Sequence, residues 1–150
     1  MVTIEHLRSI SLADQQRITD ISIKILSEAG FKFDPKYDSD FFALEDEYLK
    51  TGGCIIVAKD LDQIIGCVMV KKITTDTAEI RRLRLLPEYR GKGTGKKLLQ
   101  AAIIFCKEAG FGRTTLDTTE KNHVALSIFL DSGFTQVKQE KQSIFLEMIL

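Results

Sequence analysis

The stretch from Ala78 to Lys97, AEIRRLRLLPEYRGKGTGKK, predicts a strand, a glycine-rich turn and the start of a helix. Its first part, from Ile80 to Leu86, is rich in Ile, Leu and Arg and ends at Pro87, which is typical of a strand. After the turn, apolar residues recur at helical spacing until Gly110 ends the pattern: Leu99, Ala102, Ile103, Cys106 and Ala109. A strand that passes through glycines into a helix is an arrangement that can bind an anion.

The turn has the features of a phosphate site. The first N–H groups of a helix have no partner within it and carry a partial positive charge, so an anion placed there is stabilised. Gly91, Gly93 and Gly95 remove side chains that would keep a ligand away from the backbone. Four basic residues surround them: Arg90, Lys92, Lys96 and Lys97. The alternative is a solvated basic turn that only begins the helix.

Spacing separates the known phosphate motifs. A Walker-type loop requires about four residues between its glycine and the Gly-Lys pair, then Ser or Thr. Here three residues separate Gly91 from Gly95-Lys96, and Lys97 follows. A dinucleotide-binding fingerprint would need glycine where Lys96 stands. The segment from Arg90 to Gly95 instead reads R-x-x-G-x-G, and it resembles the coenzyme A loop of the GNAT family of N-acetyltransferases.

The rest of the chain predicts alternating strands and helices. Ser11 is a candidate N-cap for a first helix over 12–29. We also expect a second helix over Asp40–Thr51 and a third over Asn122–Ser132. Predicted strands besides the central one are Val2–Arg8, Cys54–Lys59, Gln63–Ile73, Arg113–Asp117, Phe134–Gln139 and Ser143–Ile149. This order predicts one domain over residues 1–150, with a mixed sheet and helices on both faces.

A second motif supports the resemblance. GNAT proteins commonly carry N-x-x-A-x-x-x-Y-x-x-x-G-F after the fifth strand, and here those positions hold Asn122, Ala125, Phe129, Gly133 and Phe134. With the element order, the resemblance covers essentially the whole chain. It implies an α/β (α+β) GNAT fold with a mixed, mostly antiparallel central sheet and a coenzyme A cleft beside the fourth strand.

The resemblance also implies which residues bind the cofactor, acetyl-CoA. Its pyrophosphate would lie on the turn formed by Arg90, Gly91, Lys92, Gly93, Thr94, Gly95 and Lys96. Backbone groups of Leu83, Leu85 and Leu86 would hold the pantetheine arm and the thioester carbonyl. Asn122 would reach the pantetheine or an adjacent backbone group, and it is equally a candidate helix N-cap. Phe129 would pack on the pantetheine arm.

The implied reaction is direct attack of an amine on the acetyl thioester, with proximity supplying much of the rate. Glu79 is the candidate base, and the alternative is a structural ion pair with a neighbouring arginine. Phe129 stands where the family often has a proton-donating tyrosine, and it has no hydroxyl to donate. Tyr89, the nearest other phenol, lies beside the phosphate turn. A site with one base and no acid favours low-pKa amines such as α-amino groups.

The substrate side of the central strand leaves alternatives open. Strict alternation places Glu79, Arg81, Leu83 and Leu85 on one face and Ile80, Arg82, Arg84 and Leu86 on the other, unless a bulge intervenes. Arg82 and Arg84 would favour a carboxylate-bearing substrate if they face the cleft, and are ion-pair partners if they face a helix. The aromatic segment from Phe31 to Phe42 is either satellite core or a pocket wall.

Composition narrows the function classes. The 150 residues carry 21 basic and 21 acidic side chains, so no net charge draws the chain to nucleic acid or a membrane surface. Cys54, Cys67 and Cys106 lie singly in apolar runs and are expected to be buried thiols. No metal site is expected from two distant histidines. With no signal-peptide pattern at the N-terminus, the expected location is cytoplasmic.

The sequence therefore predicts an acetyl-CoA-dependent N-acetyltransferase acting on a primary amine of a small molecule or peptide. The alternative is a non-catalytic acyl-CoA-binding regulatory module of the same fold. A nucleic-acid-binding protein is disfavoured because the basic residues are local and not interleaved with aromatics. The resemblance makes a homodimer an expectation, and neither the acceptor nor the size of the acyl group follows from the sequence.

Overall fold

The computed structural model describes residues 1–150, and seven strands form one sheet in the order β1-β2-β3-β4-β5-β7-β6. All neighbouring strands are antiparallel except β4 and β5, which are parallel. The strands are β1 (Val2–Leu7), β2 (Cys54–Asp60), β3 (Gln63–Lys72), β4 (Thr77–Leu85), β5 (Arg113–Thr119), β6 (Thr135–Glu140) and β7 (Ser143–Ile149). The α-helices are α1 (Leu12–Glu28), α2 (Thr94–Glu108) and α3 (His123–Asp131). The predicted mixed sheet is confirmed.

Helices cover both faces of the sheet centre. Ile65 of β3 lines a cavity with Ile21 of α1, whereas a side chain at the adjacent Gly66 would meet Leu98 of α2. Because successive strand residues face opposite sides, α1 and α2 lie on opposite faces. Residues Cys54–Ala58 of β2 are accordingly all buried. None of the helices has the length and apolarity needed to cross a membrane.

A β-bulge interrupts β4 and overturns the predicted strict alternation. The register pairs Arg81 with Met69 and Arg84 with Cys67, so two residues of β4, Arg82 and Leu83, oppose the single residue between those partners. Arg82 has a φ of 57°, the left-handed conformation that the first residue of a G1-type bulge adopts. Cys67 and Met69 are two apart on β3 and share a face, which places Arg81 and Arg84 on one face and not on opposite faces. The Cys67 thiol donates to the Arg82 carbonyl (3.4 Å) within the bulge.

The parallel pairing of β4 and β5 is short. It joins Thr77–Glu79 to Arg113–Thr115 and then stops, although β4 continues to Leu85 and β5 to Thr119. The two strands therefore diverge beyond Glu79. This divergence opens a cleft beside the second half of β4, between it and β5.

The helix predicted over Asp40–Thr51 is wrong as an α-helix. A 3-10 turn (Ser39–Phe42) and a π-helical turn (Glu45–Leu49) occupy that segment. The reason is long-range: the side chain of Asp40 binds Arg82 of β4 and accepts from the Tyr48 hydroxyl at 2.5 Å. Phe41, Leu44 and Tyr48 are buried, so the backbone follows the contacts with the sheet and not a regular period.

Most of the aromatics between residues 31 and 42 do not belong to the core. Phe41 is buried, and Phe33 packs against Phe41 and Phe42 with ring centroids 6.1 and 5.8 Å apart. The other aromatic side chains are exposed: Phe31, Tyr37 and Phe42. The satellite-core interpretation therefore holds for Phe41 and Phe33.

Two ion pairs of Arg82 hold the segment around Asp38 and Asp40 against β4. Its guanidinium bonds Asp38 Oδ1 at 2.9 Å and Asp40 Oδ1 at 2.8 Å, and all three side chains are nearly buried. The guanidinium also lies over the Phe41 ring, 4.9 Å from its centroid. Buried carboxylates of this kind are tolerated only while they remain paired.

Replacing Arg82 by Met should destabilise the fold by about 3 to 5 kcal/mol, because Asp38 and Asp40 would remain buried without their cation. Urea denaturation followed by circular dichroism measures this loss. Lys50→Met is the control, since Lys50 forms an exposed ion pair with Asp46 and its loss should not change the urea midpoint. Equal midpoints for Arg82→Met and the wild-type protein would contradict a structural role for Arg82.

Candidate active site

The turn before α2 presents an uninterrupted row of free backbone donors. The N–H groups of residues 91–96 donate to no protein acceptor, while the N–H of Arg90 bonds Pro87 and that of Lys97 bonds Gly93. Gly93 precedes α2 in the left-handed conformation and supplies no side-chain cap. Six consecutive donors at a helix N-terminus form a concave site suited to an anion.

The glycines of the turn have open space above them. Gly91 and Gly93 have φ values of 79° and 84°, which other residues adopt only with strain. A Cβ at Gly91 or Gly93 would meet no atom within 4 Å, and one at Gly95 would meet only Leu85 at 4.0 Å. The backbone of residues 91–95 is therefore accessible to a ligand. Arg90, predicted to contact the ligand, donates from Nε to the Leu85 carbonyl at 3.0 Å.

The end of β4 directs polar backbone groups into the cleft. Leu86 donates its N–H to Ile65 of β3 and its carbonyl accepts from Tyr89. Since adjacent strand residues direct their polar groups to opposite edges, Leu83 and Leu85 direct theirs toward the cleft. The site residues predicted at Leu83 and Leu85 are thus suitably placed, whereas Leu86 has no free backbone donor.

Glu79 lies where β4 and β5 separate. Its carboxylate is ion-paired with Arg81 Nε, so the structural alternative named for Glu79 is present. Glu79 also borders a cavity of about 210 Å³ between β4, β5 and the hairpin of β6 and β7. Other polar residues lining this cavity include Arg113, Thr115, Asp117 and Glu147. Glu79 therefore has both an orienting partner and an opening toward a second molecule.

The motif around α3 begins directly after β5, the strand on the other side of the cleft from β4. Asn122 is the N-cap of α3, and its Oδ1 accepts from the Ala125 N–H at 3.1 Å. Its side-chain amide nitrogen makes no hydrogen bond and remains available. Phe129 is buried and packs against Phe134, with ring centroids 6.3 Å apart, so its predicted contact with a ligand would involve little of its surface.

Neither Tyr89 nor a cysteine offers reactive chemistry here. Tyr89 donates its hydroxyl to Asp60 at 2.7 Å, and this hydrogen bond raises the pKa of the phenol. Burial raises the pKa of the Cys54 and Cys67 thiols to about 12 and also raises that of Cys106. All three cysteines are buried and free, as predicted. A thiolate nucleophile is therefore unavailable near neutral pH.

The structure separates the two arginines that the sequence could not distinguish. Arg82 is an ion-pair partner, held by Asp38 and Asp40. Arg84 forms no ion pair, and its one hydrogen bond runs from Nη1 to the Leu83 carbonyl at 3.0 Å. Sequence reasoning missed Asp38, Asp40 and Tyr48 as parts of this site, because only the fold brings the segment from Asp38 to Tyr48 against β4.

The comparisons with known proteins agree with this geometry. The sequence profile described as the Acetyltransferase (GNAT) family matches residues 21–134. The chain is 27% identical over 137 residues to the uncharacterized N-acetyltransferase YjgM of Escherichia coli, covering 87% of this chain and 82% of that protein. An acetyltransferase from Streptococcus agalactiae superposes with a TM-score of 0.90 at 21% identity, covering 99% of this chain and 98% of that one.

A further solved structure contains a ligand. The PaiA N-acetyltransferase of Thermoplasma acidophilum, in complex with coenzyme A, superposes with a TM-score of 0.79 at 23% identity. The match covers 99% of each chain. These two structural likenesses concern the fold, and the profile match concerns the sequence. Together with the strand, turn and helix described above, they show that this chain belongs to the GNAT family of acetyltransferases.

Proposed function

We propose that this protein is an acetyl-CoA-dependent N-acetyltransferase that transfers the acetyl group directly to a primary amine of a small molecule or peptide. The row of six free N–H groups at residues 91–96 carries this proposal, since it suits a pyrophosphate. The likeness to PaiA, whose structure contains coenzyme A, supports the same ligand here. Acetyl-CoA would enter along the open edge of β4.

The groups that would hold acetyl-CoA lie along β4 and in the turn that follows it. The pyrophosphate would accept from the amides of residues 91–96, with Lys92 and Lys96 adding charge. The pantetheine would bond the backbone of Leu83 and Leu85, which points into the cleft. Asn122 has a free amide at the opposite side of the cleft. This arrangement would hold the thioester beside the cavity that Glu79 borders, and proximity is a large source of rate.

In the transfer step the amine nitrogen attacks the thioester carbonyl carbon. A C–N bond forms, the C–S bond breaks, and the amine proton passes to Glu79 directly or through water. The coenzyme A leaves as a thiolate. Phe129 has no proton to give and Tyr89 is held by Asp60, so the thiolate would take its proton from solvent. A thiol of pKa about 8.5 is a sufficient leaving group for this to proceed.

The lack of a side-chain acid and the pairing of Glu79 with Arg81 also favour a second candidate, a non-catalytic acyl-CoA-binding module. Titration calorimetry with acetyl-CoA, followed by thiol release against a pooled amine panel, distinguishes the two. Micromolar binding with thiol release from one pool is the expected result. Binding without release from any pool would favour the module, and no binding would refute the assignment of the turn.

Gly95→Glu should abolish acetyl-CoA binding while leaving the fold intact. The new carboxylate would project toward the phosphate position and repel it. The unliganded protein should tolerate it, since Gly95 has open space above it and acidic residues are favourable in a first helical turn. Calorimetric affinity and the thermal midpoint measure the two effects separately.

Gln100→Glu is the matched control for this variant. It adds the same charge to the same helix, beyond the first turn, and should bind acetyl-CoA as the wild-type protein does. Affinity in Gly95→Glu equal to that of the control would contradict the placement of the pyrophosphate on this turn.

Glu79→Gln should lower kcat by about a hundredfold or more, with little change in acetyl-CoA affinity, because general-base catalysis typically contributes this much. The deficit should shrink as the pH rises toward the pKa of the acceptor amine, since the amine then loses its proton without help. Steady-state kinetics from neutral to alkaline pH check this.

Arg81→Met tests whether Glu79 matters only through its ion pair. This variant breaks the same pair but keeps the carboxylate, so it should lose much less turnover than Glu79→Gln. Equal losses in the two variants, independent of pH, would assign Glu79 a structural role and move the base elsewhere.

A further inference from the structure

Arg84, near the cleft, has no ion-pair partner, whereas the basic residues around it are paired. Of the basic residues that β3, β4 and β5 carry beside the cleft, four are paired: Lys71 with Glu47, Arg81 with Glu79, Arg82 with Asp38 and Asp40, and Arg113 with Glu147. None of the nine ion pairs of the molecule includes Arg84. Lys72, at the end of β3, is exposed, so Arg84 is the one basic residue of these strands that is withdrawn from solvent and has no anionic partner.

Arg84 is also poorly satisfied. Its Nε is buried without a hydrogen-bond partner, and Nη2 bonds no protein atom. Burial lowers the pKa of this guanidinium, which marks the cost of keeping its charge out of water. Asp38, a carboxylate on the facing segment that acts electrostatically on Arg84, already bonds Arg82 and the Asp34 N–H. The protein thus keeps a costly cation and provides no anion for it.

The position of the guanidinium explains what could pair with it. The bulge turns Arg84 to the face that carries Arg81, below the segment around Tyr37 and Asp38. Nη1 donates to the carbonyl of Leu83, the residue whose backbone points into the cleft. The unpaired charge therefore lies next to the part of β4 where the thioester would be held.

We infer that Arg84 binds a carboxylate of the acceptor, so that the substrates are free amino acids or similarly short amino carboxylates. This inference rests on the proposed function and names the substrate class of the same site. The carboxylate would accept from Nη2 and from the second hydrogen of Nη1, the two-point geometry that a guanidinium offers. With its carboxylate held there, a short amino acid has its amine within reach of the thioester.

The test compares free L-amino acids with the matching amino acid amides. The amides lose their ammonium proton more readily, so intrinsic reactivity favours them and a preference for the acids must come from the protein. The wild-type protein should prefer the acids by about ten- to a hundredfold in kcat/KM, the usual range for a charge-assisted hydrogen bond. Arg84→Met should abolish the preference by raising KM for the acids alone.

Two variants serve as comparisons. Arg84→Lys keeps the charge without the planar fork and should restore part of the preference. Arg8→Met removes an exposed positive charge away from the cleft and should leave the preference unchanged. Equal kcat/KM for acids and amides in the wild-type protein, or equal losses for both in Arg84→Met, would overturn the inference.

Binding without turnover separates this inference from the proposed function. Saturation-transfer NMR on protein loaded with desulfo-coenzyme A measures which pool binds. Binding of the acids that Arg84→Met removes, with no transfer to any amine, would uphold the carboxylate site and refute the transferase. Equal binding of acids and amides would overturn the carboxylate site even if transfer occurs.

Thermal stability distinguishes ligand binding from a structural role. Removing a buried, unpaired charge should leave the melting temperature of Arg84→Met unchanged or raise it. A lower melting temperature together with an unchanged preference for the acids would show that Arg84 only supports the fold and would overturn the inference.

Discussion

The extra residue in β4 determines how the site is built. Backbone polar groups in a protein interior must be paired, and a regular β4 would satisfy all of its groups within the sheet. The bulge at Arg82 and Leu83 breaks that regularity, and the pairing with β5 ends at Glu79. Both departures leave part of β4 facing a ligand-sized opening. The bulge also brings Arg84 to the face of Arg81, and so decides which charges meet at the cleft.

Neighbouring ion pairs offset the backbone strain that the bulge places on Arg82. A non-glycine residue with a φ of 57° is strained, and Arg82 is held there by Asp38 and Asp40. Those carboxylates belong to the segment that crosses the sheet between α1 and β2. The strained residue and the covering segment therefore stabilise each other, and the substrate side of the cleft is connected to the core through Tyr48.

Local patterns in the sequence predicted the seven strands, the helices α1, α2 and α3, and the turn at residues 91–96. These elements depend on spacing within a short window: glycines at a helix start, caps at Ser11 and Asn122, and apolar residues at helical intervals. The role of Arg82 and the course of the segment around Asp40 depend on contacts between residues more than 40 positions apart. The bulge depends on the register of β4 against β3. No local pattern encodes such contacts, so strict alternation placed Arg84 on the wrong face.

The short seam between β4 and β5 has a mechanical consequence. The first four strands and the last three are joined by three residue pairs, Thr77–Glu79 with Arg113–Thr115, and by the adjoining bonds from Gly112 and Arg113 to the Asp76 carbonyl. A molecule lying in the cleft would contact both groups of strands and so add interactions that hold the two groups together. Ligand occupancy would then raise the cooperativity of unfolding as well as the stability, because the two halves of the sheet could no longer separate without releasing the ligand.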